Sequence, residues 1–227
     1  MIIQIKKKLP EVIKNDSANY DEFTAIVDKY IKTDSRELNF QNRAIIVMLE
    51  RLLCNTNIEV IDTSTLFDRG NRNLKVLDVK QFSVPKIATP DILLTRNWNL
   101  DNTNNSVEYL AAIEIKSPVS SRGEDIAGKS PEDYHSHIKG EVEAYLSEST
   151  MINKVILTDC YRWHFYENQY SGNDFVDLVD SNKKWKYRMI KPDSFLIDNL
   201  GFSESEIECE PEEWRLLQEK ILSFIGE

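Results

Sequence analysis

The segment VEYLAAIEIK, residues 107–116, constrains the fold more than any other stretch of the chain. It reads as a buried β-strand, in which successive side chains alternate between the two faces of a sheet. Ile113 and Ile115 then point into one core, while Ala112, Glu114 and Lys116 share the opposite face. Desolvating a carboxylate and an ammonium is costly unless a partner or a metal compensates. A fold that buries this strand must therefore bring something to those two charges.

The flanking periodicities say what surrounds it. A helix is expected over about 18–32, and a second follows in TDSRELNFQNRAIIVMLERLL. There Ile45, Met48, Leu49, Leu52 and Leu53 recur at helical spacing, and Asp34 with Glu37 suits a capping box. Strands are expected over 57–62, 74–80, 89–95 and 107–116, with the Asn- and Asp-rich stretch 96–106 as a hairpin loop. Residues 117–133, with Pro, Gly and Ser, read as an exposed loop. The next helix carries Tyr134, Ile138, Val142 and Tyr145 near one face. Two strands lie in 154–167 around a turn at Asp159–Tyr161, and 174–180 adds another. PEEWRLLQEKILSFI closes the chain as an amphipathic helix with Leu216, Leu217, Ile221 and Phe224 as its core face. Helix, antiparallel strands, helix, then strands is an α+β order.

At 227 residues with 41% apolar and 29% charged residues, the chain can bury its own core. No apolar run reaches the length of a membrane span, and the N-terminus lacks the apolar stretch of a secretory signal. Cys54, Cys160 and Cys209 form no CxxC pair, so the expected setting is a reducing cytoplasm. The net charge of −10 argues against nonspecific coating of nucleic acid. From Glu204 onward, however, eight Glu against Arg215 and Lys220 supply −6 of that total. Any nucleic-acid contact is therefore expected to be local.

Antiparallel pairing of 89–95 with 107–116 brings Asp91, after Pro90, beside Glu114 on one face. Neighbouring carboxylates repel unless a cation sits between them. Their oxygens, with water, suit Mg²⁺ or Mn²⁺. Lys116 is no ligand while protonated, but it can polarise a water or offset charge on a phosphorane-like transition state.

Pro90–Asp91 followed by Glu114–Ile115–Lys116 resembles the PD-(D/E)XK nuclease superfamily, the restriction-endonuclease-like fold, and is most similar to nuclease domains of the type I restriction kind. The resemblance covers about 34–167. It implies an αβββαβ core within an α/β/α sandwich whose mixed central sheet is flanked by helices. The segment 1–33 is then an N-terminal helical extension, and 168–227 a C-terminal extension on the same domain. The resemblance assigns Asp91 and Glu114 as metal ligands, the Ile115 carbonyl as a third, and Lys116 as the catalytic lysine. Members add a Glu from the first helix, for which Glu50 is preferred here over Glu37. Members also carry a Gln four residues before a Tyr on the second helix; this chain has Glu141 before Tyr145.

The implied activity is metal-dependent hydrolysis of phosphodiester bonds, with DNA favoured over RNA as the substrate, in a restriction or anti-phage setting. A protein partner or homodimer is compatible with it, and no membrane is involved. The stretch KKWKYRMIK (183–191) interleaves basic residues with aromatics, so Lys183, Lys184, Trp185 and Lys186 are candidate nucleic-acid contacts. Arg122, Lys129 and Lys139 join them because they follow the Glu114–Lys116 strand closely. The competing expectation is a catalytically inactive, acidic interaction module on the same scaffold.

Overall fold

The computed structural model describes residues 19–63, 90–98, 107–129, 137–146, 152–170, 174–190 and 207–227. Helix α1 spans Tyr20–Thr33, and the Asn19 side chain caps it by accepting from the Asp21 and Glu22 amides. A continuous helical run follows, made of α2 (Glu37–Phe40), a π-helical turn (Gln41–Ile45) and α3 (Ile46–Leu52). The strands are β1 (Ile58–Asp62), β2 (Ile92–Arg96), β3 (Glu108–Ile115), β4 (Lys154–Thr158), β5 (Arg162–Glu167) and β6 (Phe175–Asp177). Helix α4 (Ile138–Tyr145) lies between β3 and β4 in the chain. A separate pair, β7 (Arg188–Ile190) and β8 (Ile207–Cys209), precedes α5 (Glu212–Ile225).

The first six strands form one sheet in chain order, with β3 and β4 parallel and every other pair antiparallel. Helix, three antiparallel strands, helix, then a parallel strand is the αβββαβ order. Strand β1 pairs directly with β2. The strand expected over 74–80 lies outside the described residues, as do Tyr134 and most of the 96–106 loop.

Alternation along the strands divides the core in two. On one face Ile92, Leu94, Ile113, Ile115, Ile156, Trp163 and Phe165 pack with Tyr20, Phe23, Phe40, Leu49, Trp214 and Ile221 from α1, the helical run and α5. On the other, Leu93, Ala112, Val155, Leu157 and Tyr166 meet Ile138, Val142 and Tyr145 of α4. The molecule is thus an α+β sandwich, a mixed sheet with helices on both faces. A β-bulge sets the phase: the β2–β3 register slips between Leu94 and Thr95, leaving Leu110 as an extra residue on β3. Leu110 and Ala111 both reach the first face, and from Ala112 onward alternation resumes with Glu114 on the α4 side.

Two local expectations are corrected. Asp34 and Glu37 do not form a capping box, because Asp34 closes α1 and its carboxylate binds the Arg36 guanidinium and amide. Glu37 is consequently the first residue of α2 rather than an N3 cap. Leu216 is 43% exposed, since α5 turns Trp214, Leu217, Ile221 and Ile225 inward; Phe224 is partly buried. Helix α5 ends at Gly226, whose φ of 86° is the left-handed conformation that glycine adopts without a Cβ penalty.

Candidate active site

One end of the sheet collects the polar chemistry. Because β3 and β4 run parallel, their C-terminal ends lie side by side, next to the end of β1 and the residues preceding β2. Asp91 sits just before β2, and its Oδ2 accepts from the Ile115 amide at 2.7 Å. Extending the β2–β3 register by two residues sets Pro90 opposite Ile115. Proline has no N–H, so it cannot pair with the Ile115 carbonyl.

Glu114 is 4% exposed and both of its oxygens are engaged. Oε1 accepts from Lys116 Nζ at 2.7 Å and Oε2 accepts from the Tyr145 hydroxyl at 2.9 Å. Lys116 makes a second ion pair, 2.9 Å to Glu141 Oε2. Glu141 and Tyr145 are four residues apart on α4 and so project from one face of that helix.

Burial raises the Asp91 carboxyl to about 6; the Ile115 amide and Lys116 oppose the shift, while Glu37 and Glu141 add to it. Burial likewise pushes Glu114 well above the usual carboxylate range, with Asp91 reinforcing and Lys116 opposing. Burial by itself would lower Lys116, but the attraction and hydrogen bonds of Glu114 and Glu141 prevail and hold the ammonium firmly protonated. Tyr145 is raised by burial and then by Glu114, so it is a neutral donor. Three carboxyls, those of Asp91, Glu114 and Glu141, thus crowd one ammonium.

Of the residues expected from the sequence, Asp91, Glu114, Ile115 and Lys116 come together. Glu50 does not join them. It is exposed on α3, nine residues beyond Gln41 and therefore about 13 Å further along the helical run. Glu37, at the near end of that run, is the helix carboxylate whose charge reaches Asp91.

The basic candidates divide. Arg122, Lys129, Lys183 and Lys184 are exposed, and Lys139 is exposed beside Glu143 at 3.7 Å. The Trp185 ring packs against Tyr20, Phe23 and Tyr161, and its indole N–H donates to Asp28 at 2.8 Å. It belongs to the core and is no free stacking platform. Lys186 is spent on the Asp177 carbonyl and on Glu213.

Gln41 went unassigned by the sequence reading, whereas Glu141 and Tyr145 were noted there as a departure from the family pattern. Glu141 and Tyr145 carried a signal in their four-residue spacing. Gln41 carried one too: four residues before Ile45, it is a polar side chain on the apolar face of the helical run. It is 2% exposed.

Fold and cluster together define an α+β sandwich with a carboxylate–lysine constellation at the end of its central strands. No protein-family model, curated protein or solved structure matches the chain. Among the described residues, no helix is long and apolar enough to cross a membrane.

Proposed function

We propose that the chain is a metal-dependent nuclease that hydrolyses phosphodiester bonds, with DNA as the favoured substrate. The observation that carries this reading is the convergence of Asp91, Glu114 and Lys116 at one sheet end, with Glu114 and Lys116 in direct contact. A restriction or anti-phage role follows from the resemblance of Pro90–Asp91 and Glu114–Ile115–Lys116 to the PD-(D/E)XK pattern.

The donor set fits a hard divalent cation. Among the described residues, no three His, Cys, Asp or Glu side chains form a ready cage. Mg²⁺ keeps several waters and takes one or two carboxylates, so Asp91 and Glu114 with the Ile115 carbonyl are an adequate set. Burial and neighbouring acids raise the Asp91 and Glu114 carboxyls, and a divalent cation would offset that penalty by taking the place of the proton. When bound, Mg²⁺ or Mn²⁺ would act as a Lewis acid on a phosphoryl oxygen and lower the pKa of a water. Lys116, held cationic, serves as an electrostatic partner for that water and for charge building at phosphorus, not as a general base. Tyr145 orients Glu114, and Glu141 fixes the Lys116 ammonium.

The test is incubation of the protein with DNA and RNA, linear and circular, with Mn²⁺ or with EDTA. Cleavage should require the metal and vanish in Lys116→Ala while the fold persists. Metal-independent cleavage, or full activity of that variant, would refute it. One observation favours a second reading, an inactive interaction module: Lys116 and Tyr145 already satisfy both Glu114 oxygens. Calorimetry separates the two, because an active site takes up Mn²⁺ in a manner that depends on Asp91 and Glu114.

A further inference from the structure

We infer that Gln41 is a positioning residue that holds Asp91 in place, an inference that rests on the nuclease reading of the Asp91–Glu114–Lys116 site. Asp91 lies just beyond the last β1–β2 pair, Asp62 with Ile92, where the Thr63 amide continues the pairing by donating to the Asp91 carbonyl. Gln41 adds a second restraint, from the helical run. Its Nε2 donates to Asp62 Oδ1 at 2.9 Å and to the Asp91 carbonyl at 3.1 Å. A side-chain amide nitrogen has two hydrogens, and these two bonds use both. Glutamate in the same shape could donate neither, and asparagine is one methylene shorter.

Thr63 completes the clamp. Its amide and its hydroxyl both reach the Asp91 carbonyl at 3.1 Å, and the hydroxyl also contacts the Pro90 carbonyl. The Asp91 peptide is thereby held from β1 and from the helical run at once. Gln41 also opens the π-helical turn Gln41–Ile45. Such turns are rare and recur at functional sites, because one extra residue per turn re-aims the side chains that follow. The consequence lies on the other side of the Asp91 residue. With its peptide fixed, the carboxylate keeps Oδ2 on the Ile115 amide, facing Glu114 and Lys116.

The experiment is amide hydrogen exchange at Ile115, with Ile113 as the internal reference, in the parent, Gln41→Ala and Gln41→Met, alongside Mn²⁺ calorimetry. Ile115 N–H is protected by the Asp91 carboxylate, whereas Ile113 belongs to the regular β2–β3 ladder. Loss of the clamp should speed Ile115 exchange by about 5-fold or more relative to Ile113. Mn²⁺ affinity should fall by about 10- to 100-fold, the usual effect of removing a group that orients a ligand. Equal acceleration at both amides would mean general destabilisation and would overturn the inference, as would unchanged Ile115 exchange. If Gln41→Ala does not fold, Gln41→Met keeps the volume without the donors and decides the same question. A parent that binds no Mn²⁺ would refute the nuclease reading, while the Ile115 exchange would still judge Gln41.

Discussion

Asp159, at the end of β4, offers the sharpest test of the electrostatics at this end of the sheet. It is 1% exposed. Its Oδ1 accepts from the Tyr161 and Arg162 amides at 3.0 and 2.8 Å, which shapes a turn that holds Cys160 at a φ of 72°. Its Oδ2 has no hydrogen-bond partner among the described residues. Burial pushes the carboxyl from 3.8 up to about 7, against the pull of the two amides and Arg162, while Asp177 adds to the rise. The folded chain then keeps a proton that the unfolded chain releases, so stability falls as pH rises from about 4 to about 7 and is level above that. The whole window amounts to about 4 kcal/mol at most, and the share between about pH 5 and pH 8 to about 3 kcal/mol.

Asp159→Asn keeps the Oδ1 acceptor and removes the charge. Urea unfolding of parent and variant at both pH values isolates this group, since the other titrations largely cancel in the difference. The stability of the variant relative to the parent should increase by roughly 1–3 kcal/mol from the lower to the higher pH. A difference independent of pH, or one that shifts against the variant, would refute the reasoning.

Mn²⁺ at about 100 times its dissociation constant should stabilise the parent by about 2.7 kcal/mol, seen as a higher melting temperature, and Asp91→Asn should lose that response. Tyr145→Phe strips the donor from Glu114 Oε2; urea unfolding at neutral pH should register a loss of about 1–3 kcal/mol. In α5, Ile221→Ala should cost about 2–5 kcal/mol, because Ile221 is fully buried, while Leu216→Ser should stay within about 0.5 kcal/mol. Trp185→Phe should lower the melting temperature by removing the bond to Asp28 but leave DNA affinity unchanged in a binding titration.

Much of the architecture was legible because periodicity is a local property. The helices at 20–33 and 212–225, the apolar spacing from Ile45 to Leu53 and the alternation of Ala112, Ile113, Glu114 and Ile115 emerge as read. The site was legible in the part written along one strand, since Glu114 and Lys116 must share a face whatever they pack against. Asp91 needed one further step, an antiparallel partner, and the register supplies it.

The sequence by itself determined the layers of this protein and the charged pair in its central strand, because 2-residue and 3.6-residue periods survive any tertiary context. Only the tertiary structure decided which distant side chains answer those charges. Chain separation carries no signal for the ion pair from Lys116 to Glu141, the hydroxyl of Tyr145 on Glu114, or the reach of Gln41 to the Asp91 carbonyl. It also decided that Trp185, set among lysines in the sequence, packs on Tyr20 and Tyr161, because the free energy of burying an indole is realised only where the fold brings those rings together.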